Sequence, residues 1–273
     1  MLSGLMLVPW VISLFSIEQG QVGAFTIGLI FCSFVSGSLL LSGYTSRRHR
    51  ARSIELLLIM VLFWTLLPIL AAIPMMGASQ IDSFIAAYFE VVSALTTSGG
   101  TNLAVPEAEP ASLLLWRSLL CWLGGLWTLV FAVAVLAPFG IGGITLTGSP
   151  LLQHEGNATL SVRLGRPLRF IGPLYTGITV VGFLALLLTG TPYFDAICLS
   201  LSAISTGGMA ARSGSVAAYL PYFSQWVLAA ICFIGSISVP LLLISTIGSK
   251  ATGSFRDTEL RVFIGLMIGY VAI

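Results

Sequence analysis

Two short runs of hydroxyl and glycine residues are where this chain could do chemistry. Thr96-Thr97-Ser98-Gly99-Gly100 and Ser205-Thr206-Gly207-Gly208 each close a segment that is otherwise apolar. The second copy follows the first by 109 positions, so that Ser93, Thr96, Thr97 and Gly99 fall on Ser202, Ser205, Thr206 and Gly208. Neither run holds an acid or a base. What both offer is oxygen, from main-chain carbonyls and side-chain hydroxyls, and a cation leaving water needs its hydration shell replaced by such oxygens. Glycine serves here because successive carbonyls can face one axis only if the backbone visits conformations closed to residues with a Cβ. A single copy reads equally well as a Gly-rich turn or helix C-cap. Two copies, at the same place in a repeat and each between far more hydrophobic segments, favour a pore.

The elements that must position these runs follow from composition. The 273 residues are 57% hydrophobic and 8% charged, against roughly a quarter charged in a soluble domain. The chain is therefore predicted to be an all-α integral membrane protein with no soluble domain. A net charge of +2 gives no reason to expect a nucleic-acid partner. Cys32, Cys121, Cys198 and Cys232 lie at irregular spacing inside apolar segments and read as small core residues. His49 and His154 stand alone in polar loops, and neither a metal centre nor a cofactor is expected.

Taken in order, residues 1–53 hold two leading spans, 2–15 and 23–41, and the loop TSRRHRARS, whose Arg47, Arg48, Arg50 and Arg52 place it on the cytoplasmic side. Residues 54–147 form a first unit of span (54–73), pore loop and span (112–138). Its middle, 75–111, has Asp82, Glu90, Glu107 and Glu109 and no base, which assigns it to the outside or to a dip from outside. Within it, residues 81–95 make a helix of about 22 Å, enough to enter a bilayer but not to cross it. Residues 148–248 repeat the unit: a loop with Arg163, Arg166 and Arg169, a span at 170–189, a second dip at 192–215 and a return at 221–247. Residues 249–273 begin a third unit. Its apolar run, 262–273, is too short to span, so more protein is expected to follow. Each pore helix aims its partly negative C-terminal end at the place where an ion would sit.

The strings ALTTSGGTN, LLLWRSLLCWLGG, FGIGGITL, PYFDA and SAISTGGM resemble the first two of four repeats of the Trk/Ktr/HKT superfamily of potassium transporters, closest to its bacterial TrkH-type branch. The resemblance covers essentially the whole chain. It implies a pseudo-fourfold, K⁺-channel-like architecture built from four span, re-entrant pore loop, span units, in a multi-pass protein of the bacterial inner membrane. It further implies a homodimer served by a cytosolic nucleotide-binding regulatory subunit of TrkA type. By position, Gly99 and Gly208 match the filter glycines. Thr96, Thr97 and Ser98, with Ser205, Thr206 and Gly207, supply the neighbouring ligands, and K⁺ is expected at Thr97, Ser98, Gly99, Thr206, Gly207 and Gly208. Glycine rather than serine at position 99 favours K⁺ over Na⁺. Ala86 departs from the pattern where the second copy has Asp195, and Met209 stands where the family usually has Phe. Two pore loops alone cannot close a pore of four, so this segment by itself is expected not to conduct.

Three charges near the pore loops need an explanation. Glu90 either attracts cations or holds the pore helix. Arg117 either anchors the pore loop or faces the ion, and Arg212 points aside or pairs with an acid. An alternating-access carrier using the two runs as unwound helix breaks is the competing transport reading. Two copies that dip from the same side argue against an inverted pair. An intramembrane enzyme would need a nucleophile with its base, and the apolar segments offer no histidine.

Overall fold

The structure, a computed structural model, describes residues 2–15, 19–45, 53–77, 80–136 and 160–236, together with Val262 and Gly265. Every regular element among the described residues is helical. The order is α1 (Leu2–Phe15), α2 (Gln19–Thr45), α3 (Ser53–Ala71), α4 (Phe84–Leu95), α5 (Ala111–Phe131), α6 (Leu160–Leu188), α7 (Tyr193–Ile204), α8 (Val216–Tyr219) and α9 (Tyr222–Ser236). A 3-10 turn at Pro74–Gly77 follows α3, another at Pro106–Ala108 precedes α5, and α5 runs on into a π-helical segment, Ala132–Leu136. Four helices, α2, α3, α5 and α6, are long and apolar enough to cross a membrane. By contrast α4 and α7 have twelve residues each, about 18 Å, which falls well short of a hydrocarbon core of about 30 Å.

Burial separates the four long helices. Of the spanning window, 72% is buried in α5, against 17% in α2, 22% in α3 and 28% in α6. Helix α5 is the hub, and the other three turn apolar faces outward, as helices in contact with lipid do. Leu113, Trp116, Leu120 and Leu123 of α5 join the core made with α1, α2 and α4. One turn on, Leu126 and Val130 join the core of α6, α7 and α9, and Phe131 packs with Leu56 of α3.

In a bilayer, lipid tails are as apolar as leucine, so the hydrophobic effect does not hold such a hub in place. Close backbone approach and interhelical hydrogen bonds do. Trp116 Nε1–H donates to the Ala71 carbonyl at 3.1 Å, tying α5 to α3, and Trp122 Nε1–H donates to Thr179 Oγ1 at 3.0 Å, tying it to α6. Close approach is made by glycine. A Cβ on Gly124 would lie 1.8 Å from the Leu95 carbonyl oxygen at the end of α4, and one on Gly235 of α9 would lie 2.3 Å from that of Ile204 at the end of α7. In both copies, then, a glycine of the following helix lets its backbone rest on the last carbonyl of the short helix.

Several boundaries differ from the sequence expectation. Helix α6 starts at Leu160 rather than 170, so Arg163, Arg166 and Arg169 ride on its first turns and not in a loop. Arginine and leucine are good helix formers, and nothing obliges a helix to stop where the bilayer does. Helix α4 starts at Phe84, because Ser83 is its N-cap and its side chain accepts the Ala86 N–H. The 3-10 turns and α8 had no counterpart in the sequence reading. The basic loop at 46–52, residues 137–159 with GIGGITLTG and His154, and the expected continuation at 237–261 lie outside the described residues.

Gly124→Ala is expected to destabilise the detergent-solubilised protein by on the order of 3 kcal/mol, because backbone cannot yield as a side chain would. Gly4→Ala, where nothing lies within 4 Å, is expected to be neutral or stabilising. Thermal melting of the two variants beside the parent checks both, and equal melting curves would refute the packing argument.

Candidate functional site

Both short helices end in the same way. The Thr97 and Ser98 N–H groups donate to the Ala94 and Ser93 carbonyls, both at 3.0 Å, and the Thr206 and Gly207 N–H groups donate to the Ala203 and Ser202 carbonyls, both at 2.9 Å. These paired bonds, from the two residues after the cap back to the last helical turn, form a Schellman motif. The residue such a motif places in the left-handed region is usually glycine, yet here it is threonine in both copies, Thr97 at φ 55° and Thr206 at φ 54°. For a β-branched residue this is a true outlier, costing about 1–3 kcal/mol each, and such strain gathers at functional positions. The glycines come two residues later, Gly99 at φ 76° and Gly208 at φ 67°. They are not needed for the cap, which is complete without them, and together with the threonine they give the loop a run of turns that a plain C-cap does not require.

The loops are braced from behind by hydroxyls. In the first copy the Ser93 hydroxyl donates to the Gly100 carbonyl at 2.5 Å and lies 3.1 Å from that of Ser98. In the second, Ser202 Oγ accepts the Met209 N–H at 2.8 Å. Each loop thus spends the N–H groups of its cap and its rear hydroxyls inward on its own helix. The two loops also meet. A Cβ on Gly99 would stand 2.6 Å from the Gly207 carbonyl oxygen, and one on Gly207 would stand 3.6 Å from Thr97 Cβ. The structure therefore brings the two predicted runs together at one place. A cavity of about 300 Å³ opens on them, lined among others by Gly99 and Gly208, by Thr101, and by Arg117 and Arg212.

Both arginines are paired. Arg117 Nε lies 3.1 Å from Glu90 Oε2, and both side chains are buried. Glu90 Oε1 accepts the Thr101 hydroxyl at 2.7 Å and the Asn102 N–H, while Arg117 Nη2–H donates to Thr101 Oγ1 at 3.0 Å. Of the two roles open for Glu90, this geometry supplies the holding one. Arg212 pairs with Asp195 at 2.6 Å and lies over the Tyr219 ring at 5.4 Å, so it does pair with an acid. Asp195's hydrogen bond and charge hold the Arg212 guanidinium firmly protonated, with a raised pKa. Glu107 accepts the Ser213 N–H at 2.7 Å and its hydroxyl at 2.5 Å, linking the segment before α5 to the loop after α7. The Ser213 hydroxyl first, then the main-chain N–H groups of Glu107 itself and of Ser213, draw the Glu107 carboxyl below its ordinary range.

Other contributors were not visible as such in the sequence. Cys121 of α5, read as core filler, places its Sγ 3.1 Å from Ser205 Oγ, and a Cβ on Gly207 would lie 2.0 Å from that sulfur. Gly125 leaves room for Ser205 and for the Tyr175 hydroxyl. These groups wedge the second loop against the hub helix. Their only sequence signal is that a cysteine and two glycines interrupt an apolar helix. Among the described residues no cluster of His, Cys, Asp or Glu could hold a metal ion.

Long apolar helices around a buried hub, alternating with two short helices that end in matched glycine loops, define a multi-pass helical membrane protein. Comparison with known proteins agrees. The family model for TrkH, described as a cation transport protein, matches residues 21–271, and the chain belongs to that family. It is 31% identical over 271 residues to the Trk system potassium uptake protein TrkG of Escherichia coli K12, covering 98% of this chain and 55% of that one. It is also 31% identical over 272 residues to TrkH of Salmonella typhimurium, with 99% and 56% covered. The crystal structure of the potassium transporter TrkH from Vibrio parahaemolyticus superposes with a TM-score of 0.80 at 26% identity, covering 97% of this chain and 54% of that one. The chain spans about half the length of the curated relatives it matches.

Two outcomes follow from this geometry. Thr97→Gly removes the left-handed penalty of about 1–2 kcal/mol, partly offset by the added freedom of the unfolded chain, so the variant is expected to melt no lower than the parent. Melting lower by several degrees would show that the threonine side chain supports the fold. For Glu107 the folded pKa lies below the unfolded value, so its contribution is complete above the ordinary carboxylate pKa of about 4.3 and is lost as pH falls through the folded value. The difference in melting temperature between parent and Ser213→Ala should therefore be constant near neutrality and shrink on acidification. A difference that grows toward acid pH would contradict this.

Proposed function

We propose that this chain is the filter-bearing part of the membrane subunit of a Trk-type system, and that the whole protein takes up K⁺ across the inner membrane of a bacterial cell through a channel-like filter. The observation that carries the proposal is the pair of loops, matched in hydrogen bonding and in left-handed positions, that touch at Gly99 and Gly207 below a common cavity. The cap N–H groups turned back onto each helix leave loop carbonyls for a cation, while the Thr96, Ser98 and Ser205 hydroxyls themselves bond back to helix carbonyls. The residues proposed to form the filter are Thr96, Thr97, Ser98, Gly99, Gly100, Ser205, Thr206, Gly207 and Gly208, with main-chain carbonyls as the ligands and the Gly100 carbonyl held by the Ser93 hydroxyl. Relatives bearing the names of potassium uptake proteins support K⁺ as the ion. On this reading the chain is a transporter and not an enzyme, and the ion is cargo. Residues 54–147 and 148–248 are the first two of four units. A homodimer and a TrkA-type cytosolic subunit rest on the family resemblance alone.

The test is ⁸⁶Rb⁺ and ²²Na⁺ uptake by proteoliposomes holding the protein at its full natural length. Gly99→Ser is expected to lower K⁺ preference over Na⁺ more than Gly208→Ser does. A Cβ at 99 meets the Gly207 carbonyl at 2.6 Å, whereas at 208 nothing lies within 4 Å and only the backbone is strained. Unchanged preference in both variants would overturn the assignment.

A further inference from the structure

The two filter loops are braced differently. In the second copy the loop itself is braced by uncharged contacts, the Ser202 hydroxyl on the Met209 N–H and Cys121 against Ser205, and that copy's ion pair, Asp195 with the half-exposed Arg212, joins the chain four residues beyond Gly208. In the first, a buried ion pair stands behind the loop. Glu90 is fully buried and Arg117 is 3% exposed. The residue 109 positions after Glu90 is Leu199, and in the register that sets Gly124 on Gly235 Arg117 falls on Leu228, so neither member of the pair has a charged residue at its equivalent position in the second copy.

We propose that Glu90 and Arg117 are positioning residues for ion selectivity, acting through Thr101 and Asn102 to set the register of the first filter loop. This rests on the transport reading above. Glu90 Oε1 takes both the Thr101 hydroxyl and the Asn102 N–H, which fixes the chain two and three residues beyond Gly99. Arg117 closes the ring by donating to the same Thr101 oxygen at 3.0 Å while its Nε faces the other carboxylate oxygen. From the helix side, Ser93 holds the Gly100 carbonyl at 2.5 Å. Gly99 and Gly100 are therefore suspended between two fixed points, the Ser93 hydroxyl and the Thr101–Asn102 clamp. A loop that reaches the left-handed region at both Thr97 and Gly99 needs such end restraints to keep its carbonyls aimed.

The alternative role for Glu90, drawing cations into the mouth by its field, conflicts with its surroundings. The neighbouring guanidinium cancels its charge, and it is Arg117, not Glu90, that lines the cavity. A charge-balanced pair, hydrogen-bonded to the loop through Glu90 Oε1 and Arg117 Nη2, can sit beside a cation path without either blocking or attracting. It can stay buried because each partner satisfies the other, and removing one leaves a desolvated charge behind.

The clamp is tested by ⁸⁶Rb⁺ and ²²Na⁺ uptake in proteoliposomes of the full-length protein, comparing parent, Glu90→Gln, Glu90→Gln with Arg117→Gln, and Thr101→Val. Thr101 is exposed on the cavity side, so its isosteric replacement keeps the fold if the buried variants do not. The Rb⁺ to Na⁺ ratio is expected to fall by about tenfold in Glu90→Gln, which strands a buried guanidinium. It should fall several-fold in Thr101→Val and recover in part in the neutral double variant, all at unchanged protein yield. A merely structural role would lower yield and melting temperature and leave the ratio alone. A parental ratio in Thr101→Val together with a parental ratio in any Glu90→Gln protein recovered would overturn the proposal. A cation-attracting Glu90 would instead lower total flux at low ionic strength with the ratio intact, and that too would overturn it. A parent that shows no Rb⁺ preference would mean that the transport reading itself has failed.

Discussion

Main-chain N–H and C=O groups at bilayer depth must find partners inside the protein or face water or ions. The structure depends on how the two short helices meet that constraint. Each ends in a Schellman motif whose donors are spent on the helix itself, and each then continues through a glycine in the left-handed region. The motif spends two donors of each loop on the helix and leaves loop carbonyls as acceptors. Free acceptors in an apolar setting are tolerable where cations supply the missing partner, which ties the local geometry to the transport function argued above. That the strained position is threonine in both copies, when glycine would be the cheaper choice, indicates that a branched hydroxyl side chain is kept there for what it does.

Everything else positions those loops. Helix α5 is mostly buried while its spanning neighbours face outward. It reaches the first loop through Gly124 against Leu95 and through Arg117, and the second through Cys121 and Gly125 against Ser205 and Gly207. A single helix thus sets the distance between the two hydroxyl-glycine runs. The Glu107–Ser213 link joins the segments that follow the two runs. The charges of the mouth are balanced where they stand: Arg117 by Glu90, Arg212 by Asp195. A cation approaching the cavity meets two arginines whose charge is already neutralised.

The architecture was legible where it rests on local pattern. Apolar runs of spanning length located the long helices, and hydroxyl-glycine runs in a register of 109 located both loops and paired Thr97 with Thr206 and Gly99 with Gly208. The equivalence of Gly124 and Gly235 was hidden, because these stand 111 apart and the shift of two residues breaks the register. Pairings between elements were equally opaque. Glu90 and Arg117 are 27 positions apart on different helices, and only packing decides whether a buried glutamate serves an ion or an arginine. Helix α6 exposed the weakness of equating a helix with its apolar stretch, since its first turns carry three arginines.

The most direct measurement is anomalous diffraction from crystals of the full-length protein grown in Rb⁺. The account predicts a peak between the two loops, in direct coordination with main-chain oxygens of Thr97, Ser98, Thr206 and Gly207 and with no carboxylate as ligand. A peak held by Glu107 or Asp195, or none beside the loops while Rb⁺ is transported, would contradict it.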